Sequence, residues 1–196
     1  LQVTALMPLI LFPLLNVEEI AVISREYMNK VQFLFAGGFI IALAIQKWGL
    51  HKRVALNILK FSGLNSQGIV ASFMVASAVL SMWVMNTSTA IMLLPVGISV
   101  IKVINDTVSD ITDNQKFNFQ LCLLLGISYA ASVGGIATPI GTSPNGVLIQ
   151  FASNNYDYDI GFANWISIGL PITLGLGPII WIFLTRIIFP VNFSAT

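Results

Sequence analysis

Two windows of this chain, 61–101 and 117–156, contain no charged side chain. Each is about twice as long as the roughly 20 apolar residues that one helical crossing of a bilayer needs. Further charge-free windows cover 1–17, 31–46 and 160–185. A soluble domain carries about a quarter of its residues as Asp, Glu, Lys and Arg, because water must wet its surface. Here the charged share is 9% against 56% hydrophobic, so lipid is the expected solvent and the chain reads as an all-α integral membrane protein. A net charge of +1 gives no electrostatic footprint for nucleic acid. The single Cys122 lies in an apolar run, allows no internal disulfide and reads as a small core residue. The chain opens on apolar Leu1 with no basic n-region, a poor signal peptide, and is expected to be a piece whose earlier residues lie outside it.

The charges fall into short clusters, and their sign predicts topology. Lys47, Lys52, Arg53 and Lys60 are all basic and are expected to face the cytoplasm. Alternation then places Glu18, Glu19, Arg25, Glu26 and Lys30 outside. Lys102 to Lys116 fall inside, Asp157 and Asp159 outside, and Arg186 inside. The basic residues near 47–60 interleave with Val54, Ala55, Leu56, Ile58 and Leu59, which suits a helix lying along the interface. His51, with no second histidine in the chain, reads as one of its polar residues rather than a ligand. Trp48 and Trp165 read as boundary anchors.

Both long windows are interrupted by uncharged polar residues. In the first, an apolar arm over 69–84 runs into Met85-Asn86-Thr87-Ser88-Thr89, and a second arm over 90–104 follows directly. Asn86, Thr87 and Ser88 are N-cap residue types and predict the start of a new helix. The pattern fits a re-entrant hairpin spanning 61–104 with its tip inside the membrane. In the second window the helical run 117–133 meets Gly134-Gly135, a predicted helix stop. Pro139 forbids continuation through 136–142. Ser143 then reads as an N-cap with Pro144 at the first helical position, opening a half-helix over 145–152. The segment 117–153 is expected to be a broken membrane helix.

A helix that stops in mid-membrane leaves bare carbonyls, and one that starts there leaves bare N–H groups. Carbonyls with Asn, Ser and Thr oxygens suit a hard monovalent cation; helix N-termini with amide and hydroxyl donors suit an anion. Neither window holds a Lys, Arg or His, so a bound anion must rely on neutral dipoles and a co-bound cation. The structural alternative is that Asn86, Thr87, Ser88 and Thr89 only join packed helices and that the glycines only permit close approach. Two breaks, each with cap chemistry, favour a site. Acid–base or metal enzymology has no His, Asp, Glu or Lys in these windows to work with.

Ser-Met-Trp-Val-Met-Asn-Thr-Ser-Thr-Ala (81–90), followed by Leu-Leu-Pro, resembles the hairpin signature of the divalent anion–sodium symporter family. Gly-Gly-Ile-Ala-Thr-Pro-Ile-Gly-Thr-Ser-Pro-Asn (134–145) is similar to that family's broken-helix motif. Residues 33–39 and 46–53 resemble its third span and the basic segment after it. The resemblance implies the N-terminal half of an inverted-repeat, homodimeric elevator carrier in the plasma (bacterial inner) membrane. Its substrates would be dicarboxylate or tricarboxylate anions such as succinate or citrate, with Na+ as coupling ion and the second repeat absent from this chain. It further implies that Asn86, Thr87 and Ser88 touch the substrate carboxylate. Ser81, Met85, Asn86, Ala131 and Gly134 would line a sodium site, and Thr142, Pro144 and Asn145 would shape the supporting broken helix on the substrate side. Met85 stands where the family has serine.

The expected organisation is a scaffold-type segment with the interfacial helix (1–60), a transport-type segment (61–156) and a final span and tail (157–196). Sodium-coupled dicarboxylate symport is the leading function. A sulfate or other inorganic-anion carrier of the same fold is the near alternative. A non-transporting membrane-anchoring subunit, whose polar breaks only pack against a partner, is the distant one.

Overall fold

A computed structural model describes residues 2–59, 65–108 and 111–193. Among these residues all regular elements are helical: α1 (Gln2–Leu14), α2 (Ile20–Tyr27), α3 (Lys30–Lys47), α4 (Leu50–Leu59), α5 (Ser66–Ser81), α6 (Asn86–Thr107), α7 (Asp113–Ile136), α8 (Ser143–Tyr156) and α9 (Phe162–Ile182), the last running on as a π-helical turn, Phe183–Ile188. Four runs are long and apolar enough to cross a membrane: Ile20–Lys47, Asn86–Thr107, Asp113–Ile136 and Phe162–Ile188. This is an integral membrane protein. Lys60 and Asp110, used above in the charge clusters, lie outside the described residues, as do the side chains of His51 and Lys52.

The chain divides into two compact units, one up to Gly37 and one from Gly38 onward, the boundary falling inside α3. In the first unit, Tyr27 Oη donates to Ala5 O (2.6 Å), tying α2 to α1. Within the apolar run 1–17, α1 has 13 residues with Pro8 and Pro13 inside it. Pro13 and the left-handed Asn16 (φ 51°) close it off.

In the second unit, Gly49 (φ +61°) ends α3, and a side chain there would be strained. The helix that follows, α4, is the predicted amphipathic segment, with Val54 and Ile58 packed onto the core. The core lies along α5 and α7, where Val70, Phe73, Phe119, Leu123 and Ile127 are almost fully enclosed. Two serines four residues apart on α5 bind two carbonyls four residues apart on α7. Ser77 Oγ donates to Ile127 O (2.7 Å) and Ser81 Oγ to Ala131 O (2.6 Å). Such rungs need the backbones close, which small residues permit. A Cβ on Gly134 would lie 2.3 Å from Ala78 O and 2.5 Å from Ala78 Cα.

Here the reading of Gly134-Gly135 as a helix stop is corrected. Helix α7 runs through both glycines to Ile136 with Ala137 as its C-cap. Among the described glycines only Gly49 has positive φ. Close packing, not left-handed freedom, accounts for them. The N-cap assignments shift as well. Helix α6 begins at Asn86 with Met85 at the N-cap, and α8 begins at Ser143 with Thr142 at the N-cap; neither cap side chain bonds the helix. Pro144 sits in the first turn of α8, where its missing N–H leaves nothing unpaired. The half-helix runs on to Tyr156 rather than stopping at Ala152.

Candidate functional site

The two breaks predicted from the polar interruptions lie against each other. The turn 82–85 separates α5 from α6, and the turn 137–142 separates α7 from α8. Thr138 Oγ1 donates to Met82 O across them and receives Gly141 N (3.1 Å). Gly141 is pressed between them: a Cβ there would lie 2.5 Å from Gly135 O and 2.9 Å from Ser81 O.

At the centre stands Asn86. One end of its amide is 2.8 Å from Ser81 Oγ, 3.1 Å from Gly141 O and 3.2 Å from Ala131 O. The Ser81 hydroxyl has one proton, and Ala131 O lies 2.6 Å away to take it. The Asn86 end facing Ser81 is therefore Nδ2, donating into a ring of three oxygens. Ser81 is fully buried and Ala131 nearly so, whereas Asn86 and Ser88 are half-buried and Thr87 is exposed. Thr89, the next residue, is buried and donates to Val84 O (3.3 Å).

Asn145 stabilises the second break. Its Nδ2 donates to Gly135 O (2.9 Å) and Thr138 O (2.8 Å), and the residue is 7% exposed. The Ala137 N–H takes Gly134 O (3.0 Å). Two of the four carbonyls left orphaned at the end of α7 are thus satisfied at the break itself. Asn145→Ala would strip Gly135 O and Thr138 O of a buried donor. We expect it to lower stability by about 1–3 kcal/mol, read as a drop in melting temperature of the purified protein.

Of the residues singled out in the sequence, Ser81, Asn86 and Ala131 meet in one ring. Asn145 supports it from α8. Thr142 and Pro144 shape the start of α8, with Pro144 exposed. Met85, 37% exposed, lies beside the ring and instead joins Ser88 in lining a cavity of about 220 Å³ with Phe39, Leu43, Gln46 and Met92. Gly134 supplies close contact with Ala78, not a ring oxygen. Sequence reasoning missed Gly141 O, which completes the ring, and Thr138, which staples the two turns. The Thr-Pro-Ile-Gly-Thr spacing was visible, but nothing in it says which carbonyl turns inward.

Three neutral oxygens and one amide can hold a hard cation if the amide turns its oxygen inward, because such ions favour oxygen ligands. Among the described residues no group of three or more His, Cys, Asp or Glu gathers to offer another kind of metal site. The first turn of α6 adds the N–H groups of Asn86, Thr87 and Ser88, which geometry leaves without intrahelical acceptors.

Residues 1–195 match the family model described as "Citrate transporter". The chain is 38% identical over 187 residues to the sodium-dependent dicarboxylate transporter SdcS of Staphylococcus aureus strain USA300, and 37% identical to that of strain NCTC 8325. Both alignments cover 95% of this chain and 36% of the relative, so the chain spans little more than a third of those proteins. The matches are to transporters rather than enzymes. A match over essentially its whole length, carried by residues that include both breaks, shows that the chain belongs to the citrate transporter family.

Proposed function

We propose that this chain forms part of the N-terminal half of a sodium-coupled symporter of small dicarboxylate or tricarboxylate anions. The observation that carries this reading is the oxygen ring of Ser81, Ala131 and Gly141 around the Asn86 amide, one residue from the open N-terminus of α6. The site brings no positive side chain, so an anion at α6 gains from a cation seated in the ring. Asn86 serves both ligands. With Oδ1 turned toward a sodium ion, its Nδ2 points outward and donates to a carboxylate beside Thr87 and Ser88. Without the ion, Nδ2 stays in the ring and the outward oxygen repels the anion. Coupling follows from the amide, since one orientation suits both ligands and the other suits neither.

In the same reading, α5 and α6 form a re-entrant hairpin with its tip near mid-membrane. The uncharged tip, with Val84 buried and Met82 O bonded by Thr138 of the second break, supports this, because unwound backbone at that depth must be enclosed by protein. Segment 61–156 then moves as the transport domain against a scaffold containing 1–60, as in a homodimeric elevator in the plasma membrane. A second, inverted repeat completes the substrate site. The names of the relatives support sodium and dicarboxylate as the cargo.

The test is uptake of labelled succinate and citrate by the full-length protein in proteoliposomes, with a sodium gradient or with potassium in its place. Sodium-dependent uptake of either is expected. Uptake of sulfate alone would move the substrate to the inorganic anions. No sodium-dependent flux of any anion would sink the carrier reading in favour of an anchoring subunit.

A further inference from the structure

Val133 and Ile136 own the other two orphaned carbonyls at the end of α7, and both are taken by side chains of α9. Thr173 Oγ1 donates to Val133 O (3.0 Å), and Trp165 Nε1 donates to Ile136 O (2.9 Å). Between them Gly169 brings the α9 backbone into contact: a Cβ there would lie 2.5 Å from Ile136 O. Trp165, Gly169 and Thr173 are spaced by four and so occupy one face of α9. The stripe continues to Trp181, whose Nε1 donates to Gln67 O (3.1 Å) near the other end of α5. Trp165, read from the sequence as a boundary anchor, thus also donates to the end of α7.

We propose that Trp165 and Thr173 are positioning residues for the cation ring, acting through the last turn of α7; this rests on the sodium-carrier reading. All four terminal carbonyls of α7 now have donors, two from the break (Ala137 N–H, Asn145) and two from α9. The α9 donors hold the far side of the turn. Gly135, two residues beyond Val133, packs its Cα against the Asn86 side chain. Gly141, five beyond Ile136, supplies a ring oxygen. A freed Val133 or Ile136 carbonyl must find a new partner in apolar surroundings, and the turn shifts to give it one. Such a shift moves Gly135 and Gly141 and spoils the ring, whereas the backbone N–H groups at the start of α6 are untouched.

The test uses Thr173→Val, which deletes the hydroxyl at nearly constant shape, Thr173→Ser, which keeps it, and Trp165→Phe, which keeps the ring bulk and deletes the N–H. Each full-length variant is titrated with sodium against a choline control. Two quantities are read: the sodium-dependent rise in melting temperature and the sodium concentration for half-maximal succinate uptake. Thr173→Val and Trp165→Phe are expected to raise half-saturation three- to tenfold, with near-wild-type rates at saturating sodium, and Thr173→Ser to restore the wild-type value. If the variants only melt earlier in choline, with unchanged sodium half-saturation, the two residues are structural and the inference is overturned. If wild type itself shows no sodium response by either readout, the carrier reading fails and takes this inference with it.

Discussion

Asn86→Ala in the full-length protein should remove sodium-dependent uptake, and Asn86→Asp should separate the two ligands. The alanine variant loses the side chain that faces both the ring and the open α6 terminus. The lost interaction is a hydrogen bond to a charged carboxylate together with an oxygen ligand to the ion. A hydrogen bond to a charged group contributes about 1.5–3 kcal/mol. Uptake at subsaturating substrate should therefore fall by roughly ten- to a hundredfold from that bond alone, and further from the ion. The aspartate variant keeps an oxygen for the ring but puts a second oxygen where Nδ2 would meet the substrate. Sodium should still raise its melting temperature, while succinate adds nothing. If Asn86→Asp instead bound succinate as well as wild type does, the shared-amide account of coupling would be wrong. Gly135→Ala should behave much as Asn86→Ala does, since its Cβ would lie 2.2 Å from the ring-facing end of the Asn86 amide.

Gly134→Ala should be the most damaging small substitution for the fold. Its new methyl would meet backbone, 2.3 Å from Ala78 O and 2.5 Å from Ala78 Cα, so no side chain can swing aside. Overpacking of this kind costs about 1–3 kcal/mol where a core can adjust, and here two helix backbones must part. The Ser77 and Ser81 rungs stretch with them. Gly175→Ala in α9 is the matched control, with nothing within 4 Å of its Cβ. Alanine is preferred over glycine in a helix by about 1 kcal/mol, so this variant should melt no earlier than wild type. Comparing the two by thermal unfolding in detergent isolates the contact. Equal melting temperatures would mean that α5 and α7 are not in backbone contact.

Much of this molecule is written in the order of its residues. Two charge-free windows demand a membrane. The polar run from Asn86 and the 134–145 stretch mark, to within a few residues, where one helix gives way to the next, since cap residues and Pro139 act over one turn of chain. Such effects are local, and a local pattern can be read from a local sequence. The pairing of Ser81 with Ala131, 50 residues apart, is not local. Glycine at 134 and 135 is compatible with a helix stop and with a close approach, and only the neighbouring helix decides between them. The same limit hid Gly141 O, Thr138 and the α9 stripe. Carbonyls have no side-chain signature, and Trp165 at the start of an apolar run looks like any boundary tryptophan. Composition and local steric rules thus determined that this chain is an all-helical membrane protein whose long apolar windows are interrupted. Which oxygens converge, and which donors hold them, was decided by tertiary packing, because hydrogen bonds between distant backbones depend on where the helices touch.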